Sequence, residues 1–219
     1  MSYGFKLELW GDYALFTRPE FKVERVSYDV ITPSAARGIV EAIYWKPAIK
    51  YVIDKIHVFN EPEFTNIRRN EMSEKILASD VKQLIEGNKN AKGYISSTDC
   101  IQQRASMVLK NVHYILEFHF ELTDKAGESD TVEKHYNVAL RRMRKGQFYY
   151  MPCFGCREFP ANFRLIENDI PASTLKGERD LGYMLYDMDF SDKENITPMF
   201  FRAKMLDGVI DLTNVYLRR

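Results

Sequence analysis

Asn111-Val112-His113-Tyr114-Ile115-Leu116-Glu117-Phe118-His119-Phe120-Glu121-Leu122 reads as a β-strand with two different faces. Val112, Tyr114, Leu116, Phe118, Phe120 and Leu122 fall on one side; Asn111, His113, Glu117, His119 and Glu121 fall on the other. Side chains alternate along a strand, so the first set enters a core and the second meets solvent or a ligand. The strand signal reaches back to residue 106, and residues 124–127 follow as a turn. Asp130-x-x-Glu133 then reads as a capping box with aspartate as the cap. Val132, Tyr136, Ala139, Leu140 and Met143 recur at helical spacing, and Gly146 ends the helix. Lys134, His135, Arg141, Arg142, Arg144 and Lys145 avoid that stripe and are expected on the polar side.

Upstream, Phe5, Leu7 and Leu9 alternate with Lys6, Glu8 and Trp10, the pattern of a half-buried strand over residues 4–17. Gly11 marks a bulge or a close backbone approach. Thr32-Pro33 is a helix start, a capping hydroxyl before a proline, and Pro47 stops that helix near Trp45. Residues 48–59 predict a second strand. Residues 60–104 read as a long irregular segment with one short helix over 80–85. Downstream, residues 157–166 predict an edge strand, because Pro160 cannot donate to a ladder.

The resulting order, βαββαβ, predicts an α+β fold of the ferredoxin-like or RNA-recognition (RRM-like) kind over residues 1–167. Residues 168–219 predict a small antiparallel β-rich C-terminal domain, with strands over 184–190, 199–205 and 209–212 and a hairpin turn at Asp207-Gly208.

The chain of 219 residues is 45% hydrophobic, enough for a substantial core. It has no run of eighteen apolar residues and carries charge at its start, so a cytoplasmic protein without a membrane span is expected. Formal net charge is zero, which argues against a generic basic nucleic-acid coat. The charge is nonetheless segregated: residues 124–133 are acidic and residues 141–145 basic. Three cysteines fit a reducing compartment. Cys153-x-x-Cys156 has metal or redox spacing, but further ligands at suitable spacing are missing, and two loop thiols is the default reading.

Glu133-Lys134-His135-Tyr136 carries the chemistry. A ribonuclease working without metal needs a proton acceptor for the ribose 2′-hydroxyl, a donor for the leaving oxygen and cations for the phosphorane. A histidine titrates in the needed range, a neighbouring lysine supplies positive charge, and a helix N-terminus points N–H groups at an anion. Read singly, His135 is also an ordinary surface histidine, Lys134 a surface lysine and Tyr44 a core-edge aromatic. His113 and His119 lie on the polar strand face, where they reach RNA or simply pair with neighbours; His57 reads as structural.

Gly11-Asp12-Tyr13-Ala14-Leu15-Phe16-Thr17 and Gly38-Ile39-Val40-Glu41-Ala42-Ile43-Tyr44-Trp45-Lys46-Pro47 closely resemble the subtype I-C (Dvulg) CRISPR-associated proteins of the fifth Cas family, within the RAMP superfamily. Lys110-Asn111-Val112-His113-Tyr114, Glu133-Lys134-His135-Tyr136 and Phe154-Gly155-Cys156-Arg157-Glu158 match in the same order. The resemblance covers roughly residues 4–166. It implies a metal-independent, cofactor-free endoribonuclease that cuts CRISPR precursor RNA within each repeat. It also implies that the enzyme stays on the 5′ handle of the mature CRISPR RNA as a subunit of the type I-C interference complex (Cascade), whose target is double-stranded DNA. The family's functional positions map to Tyr44, Lys134 and His135. His135 would be the acid–base group, Lys134 the phosphate stabiliser and Tyr44 an orienting or relaying hydroxyl, with the base and acid roles left open.

From charge clustering, Lys46, Arg141, Arg142, Arg144, Lys145 and Arg157 are expected to hold the repeat backbone. Two other classes of function stay open at this point. One is a scaffold that caps the guide RNA without cutting. The other is a metal-dependent DNase built on carboxylates such as Asp12, Glu117 and Glu121. A small-molecule enzyme would leave residues 141–145 without a purpose.

Overall fold

The computed structural model describes residues 4–21, 23–192 and 194–219; residues 1–3 of the charged start, with residues 22 and 193, lie outside the described residues. The elements in chain order are β1 (Gly4–Ala14), β2 (Arg25–Val26), α1 (Pro33–Ile43), β3 (Ile49–Val58), β4 (Glu63–Met72), α2 (Ala78–Ile85), β5 (Ile101–Leu122), α3 (Val132–Arg144), β6 (Asn162–Leu165), β7 (Glu178–Asp189), β8 (Thr197–Leu206) and β9 (Val209–Asp211). This is an α+β architecture built on a mostly antiparallel sheet in the order β6-β1-β5-β3-β9-β8-β7. β2 and β4 pair with β5 off that path.

β5 organises the sheet. Its second half lies between β1 and β3, with Leu7 opposite Leu116 and Ile56 opposite the same residue on the other side. Val112, Tyr114, Leu116, Phe118 and Phe120 are buried as the alternation requires, and Ile115 is buried with them. Leu122, at the strand end, is exposed. The first half of β5 pairs with β4 from Lys110 opposite Glu63 to Ile101 opposite Met72; Val108 and Leu109 still belong to the core, and the strand leaves it beyond Ser106. Asn111 sits at the changeover with φ 52°, a left-handed conformation that asparagine tolerates better than most residues.

The stretch 60–104 is therefore not the long loop its sequence suggests. It holds β4 and α2, and only the remainder is irregular. No residue of β4 is fully buried, and its half-covered face carries Thr65, Ile67, Arg69 and Glu71, so only Ile67 packs an apolar side chain on the core and the sequence shows no period. Backbone pairing and cross-strand ion pairs, such as Lys110 with Glu63 at 2.8 Å, hold the ribbon instead. α2 spans two residues more than expected at its start and buries no side chain.

α1 begins as the sequence dictates: the Thr32 hydroxyl accepts from the Ala35 N–H, and Pro33 occupies the first turn. The helix ends at Ile43, and Tyr44 turns into an extended conformation at φ −154°. α3 departs from expectation at its cap. Thr131, not Asp130, accepts from the Lys134 N–H, which frees both Asp130 oxygens for other partners. β6 pairs with β1 at the sheet edge, after Pro160. The C-terminal strands join the same sheet through β9 on β3, and the Asp207-Gly208 turn between β8 and β9 has both residues at positive φ, 50° and 79°.

The loop after α3 is pinned to the end of β1. Leu15 N–H donates to the Phe154 carbonyl at 3.0 Å, and the fully buried Phe154 ring packs edge-on against Phe16 and Tyr114. Gly11 provides the close approach foreseen for it, since a Cβ there would sit 2.8 Å from the Phe154 ring. Gly155, at φ +83°, would place a Cβ 2.0 Å from the Leu15 carbonyl oxygen. Gly155→Ala is expected to lower unfolding stability by about 1–3 kcal/mol or more, read as a reduced urea midpoint at unchanged slope. An unchanged midpoint would mean that this loop does not hold the end of β1.

Candidate active site

Tyr44 leaves α1 just as His135 enters the first turn of α3, and the two meet. The Tyr44 hydroxyl lies 2.8 Å from His135 Nδ1, in a buried contact. His135 is only 1% exposed. This corrects its expected place on the polar side of the helix. The buried face of α3 centres on His135, Ala139 and Met143, one position earlier than the apolar stripe predicts, with Tyr136 and Leu140 on its shoulder. A residue four before a buried alanine and eight before a buried methionine shares their face whatever its polarity.

The other ring nitrogen is also engaged. His135 Nε2 lies 3.2 Å from Asp130 Oδ1. The same oxygen accepts from Lys134 Nζ at 3.1 Å, while Asp130 Oδ2 accepts from the Gly127 N–H at 3.1 Å. The Gly127 N–H first, then Lys134, holds the Asp130 carboxyl below the usual carboxylate range. An ionised carboxylate only accepts hydrogen bonds, so the proton of a neutral imidazole belongs on Nε2. Nδ1 then presents its lone pair, and the Tyr44 O–H donates to it. Burial raises the Tyr44 pKa, which keeps that O–H protonated at neutral pH.

Lys134 joins the cluster through Asp130. Its ammonium also donates to the Ser129 carbonyl at 3.0 Å and remains about half exposed. Asp130 is thus the shared neighbour of Lys134 and His135, a residue that sequence reading treated as a helix cap. An acidic residue four before a lysine and five before a histidine, at a helix start, was the available signal.

The six expected backbone-binding cations separate into groups. Arg142 turns inward: its Nη1 donates to the Ile43 carbonyl at 2.8 Å, and its guanidinium lies 5.3 Å from the Tyr44 ring centroid. Arg142 and Lys46 line a cleft of about 500 Å³ with Glu41, Tyr44, Trp45, Pro47, Tyr149 and Tyr150. Arg141 and Lys145 are exposed and form no ion pair among the described residues. Arg144 is paired with Glu167 at 2.5 Å. Arg157 stands apart. Its loop meets Gly11, whereas Tyr136, next to His135, stacks on Phe5 at 4.9 Å. Phe5 to Gly11 is about 20 Å of strand, so Arg157 belongs to the opposite end of the sheet.

The remaining histidines pair with carboxylates on the open sheet face: His57 with Glu117 at 2.7 Å, His113 with Glu8 at 3.0 Å and His119 with Asp54 at 2.9 Å. Glu117 is opposite Lys6 in the β1 register, while Asp12 lies near the far end of β1, so the carboxylates weighed for a metal-dependent nuclease do not converge. Among the described residues no group of three or more His, Cys, Asp or Glu side chains comes together as a metal-ligand set. Cys153 and Cys156 are free thiols whose pKa values are raised by burial. Among the described residues no helix is long and apolar enough to cross a membrane.

A tyrosine at the end of one helix and a buried histidine in the first turn of another, beside a cleft that carries Arg142 and Lys46, form a hydrogen-bonded group able to move a proton. Comparison with known proteins gives the chain a family. The model of the CRISPR-associated Cas5 family, in its Cas5d form, matches residues 4–213, and the chain belongs to that family. It is 50% identical over 221 residues to the CRISPR pre-crRNA endoribonuclease Cas5d of Mannheimia succiniciproducens, covering 99% of this chain and 97% of that one. It is 37% identical over 224 residues to the protein of the same name from Thermus thermophilus, covering 94% and 90%. A crystal structure of a CRISPR-associated protein shares the fold at TM-score 0.70 and 23% identity, over 99% of this chain and 96% of that one.

The tautomer is open to direct test. Nitrogen-15 NMR of the His135 ring at neutral pH is expected to find the proton on Nε2, and Tyr44→Phe to lower stability by about 1–3 kcal/mol by leaving Nδ1 buried without a donor. A proton resident on Nδ1 would contradict the assignment. The acid limb also has a fixed sign. Because the folded Asp130 pKa is depressed, its contribution is present above the ordinary aspartate value and is lost only as pH falls through the lower folded value. Asp130→Asn should therefore flatten the stability profile on the acid side alone.

Proposed function

We propose that this protein is an endoribonuclease that cleaves CRISPR precursor RNA within the repeat, by attack of a ribose 2′-hydroxyl and without a metal ion. We further propose that it remains on the 5′ handle as a subunit of the type I-C interference complex, in the cytoplasm. The fold behind this reading is ferredoxin-like: β1-α1-β3-β5-α3-β6 forms the RNA-processing domain over residues 1–167. Residues 168–219, which carry β7, β8 and β9, form the C-terminal unit alongside it. The observation that carries the reading is the buried 2.8 Å contact between Tyr44 and His135, opening on a cationic cleft. The 50% identity to a curated pre-crRNA endoribonuclease supports it.

The roles follow from access. Both residues are buried, His135 at 1% and Tyr44 at 5% exposed, but of the two only Tyr44 lines the cleft. Tyr44 is therefore the group that meets the substrate. As the 2′-hydroxyl attacks phosphorus, its proton passes to the Tyr44 oxygen while the Tyr44 proton passes to His135 Nδ1. Asp130 holds the imidazole in the accepting tautomer and steadies the imidazolium that results, as the aspartate does in a serine-protease triad. Lys134, with Lys46 and Arg142, balances the charge of the phosphorane. The P–O5′ bond breaks and the leaving oxygen takes a proton from water; Tyr44 gives a proton to the hydroxide left behind and regains one from His135, which restores both side chains. The products are a 2′,3′-cyclic phosphate and a 5′-hydroxyl.

Labelled repeat RNA incubated in EDTA, with end-group analysis, tests this. The expected result is one cut per repeat with those two end groups. His135→Ala should lower the rate by about 10²–10⁴-fold and leave repeat affinity within a few-fold. The burial of His135, with both nitrogens satisfied, favours a second reading in which the protein only caps the RNA. Tight binding without any cleavage by the purified wild type would establish that reading instead.

A further inference from the structure

The cleft beside Tyr44 has a composition that proton transfer does not explain. Trp45, Tyr149 and Tyr150 are 51%, 81% and 55% exposed, yet all three line it. Large aromatic side chains left in water at one place mark a contact surface. Their backbone is anchored on both sides. On one wall, the Ile49 N–H donates to the Lys46 carbonyl at 3.1 Å, and the Thr123 hydroxyl donates to the Pro47 carbonyl at 2.6 Å. On the other wall, Gly146 at φ +62° reverses the chain after α3, and the N–H groups of Tyr149 and Tyr150 both point at the Ala42 carbonyl, at 2.9 and 3.3 Å. The rings are exposed on anchored chain, so little backbone ordering remains to be lost when something stacks on them.

The charge around these rings is positive. Lys46 is exposed and forms no ion pair among the described residues. Arg142 adds a guanidinium over the Tyr44 ring. The one carboxylate in the lining, Glu41, is taken up by Arg37 at 2.6 Å. Aromatic faces beside cations, with no free carboxylate, suit a planar base carried on a phosphate backbone. The volume of about 500 Å³ lies within the range of small-ligand sites, roughly 300–1,000 Å³. A base inside a duplex has both faces covered, so only an unpaired one can occupy the cleft.

We propose that Trp45, Tyr149 and Tyr150 form a stacking subsite for one unpaired nucleobase of the RNA, adjacent to the scissile phosphate. The subsite rests on the endoribonuclease reading for its position beside the reacting group. It assigns a specificity role: the substrate must leave at least one nucleotide next to the cut outside its stem. Lys46 follows the backbone of that nucleotide, and the Tyr44 hydroxyl faces its neighbouring ribose.

The test uses the full-length protein and labelled repeat RNA in two forms, intact or with single abasic nucleotides on either side of the cut. Trp45→Ala and Tyr149→Ala lie on exposed side chains, and thermal unfolding confirms that they fold. Each is expected to weaken binding of intact RNA by about tenfold and to raise KM with a smaller change in kcat. One abasic position should weaken wild-type binding by a similar factor, and Trp45→Ala should have no further effect on that RNA. Trp45→Phe should restore most of the loss. Variants that bind intact RNA as tightly as wild type would overturn the subsite. So would losses that multiply at every abasic position, or a defect confined to association with other protein subunits. If the wild type binds but does not cut, the catalytic reading falls separately, and the abasic comparison on affinity still decides the subsite.

Discussion

A hydroxyl and an imidazole packed together between two helix ends must satisfy each other, because their residues are only 5% and 1% exposed and little water reaches them. The Tyr44–His135 contact at 2.8 Å is that arrangement, and it fixes more than two side chains. It holds the exit of α1 against the entrance of α3, two elements 91 residues apart in the chain. It settles which imidazole nitrogen accepts, and Asp130 on the far nitrogen confirms the choice from the other direction. Arg142 then ties α3 to the last carbonyl of α1 and lies over the tyrosine ring, two turns beyond His135. Loss of one buried partner would leave the other unsatisfied, which costs more than the hydrogen bond itself contributes.

This geometry reorders the functional parts. The imidazole is buried, and a tyrosine stands between it and the cleft. Positive charge near that tyrosine comes from Arg142 and Lys46 within the cleft. The density of cations at the end of α3 is less uniform than its sequence suggests. Arg144 is neutralised by Glu167, Arg142 is structural as well as electrostatic, and only Arg141 and Lys145 are left exposed without an ion pair among the described residues. The zero net charge of the chain fits this economy: the cations are placed locally and not spread over the surface.

Much of the fold was legible because it obeys simple periods. β5 alternates in its second half, α1 carries a threonine cap and a proline start, and the Asp207-Gly208 turn needs two positive φ angles. β4 was not legible, since its half-covered face carries Thr65, Ile67, Arg69 and Glu71, and one apolar residue in four makes no alternation to read. The family resemblance names Tyr44 and His135 as functional positions, and no spacing in the sequence records their contact. The burial of His135 ran against its chemistry: a titratable residue was placed outside although helical geometry places it with Ala139 and Met143. Asp130 was misread for a related reason. Threonine and aspartate stand side by side at the helix start, and either can cap. Only the structure shows that Thr131 caps, leaving Asp130 to serve Lys134 and His135. The aromatic cleft joins Trp45 to Tyr149 across more than a hundred residues, and no local pattern records such a meeting.

The central claim is that Tyr44 and His135 act as one proton-relaying unit. A double-mutant cycle of Tyr44→Phe and His135→Ala, followed by single-turnover cleavage of repeat RNA, measures it most directly. Residues that work as a unit are strongly non-additive, so the double variant should cut no more slowly than the slower single variant. Rate losses that multiply across the cycle, or a Tyr44→Phe protein that cuts at the wild-type rate, would contradict the account.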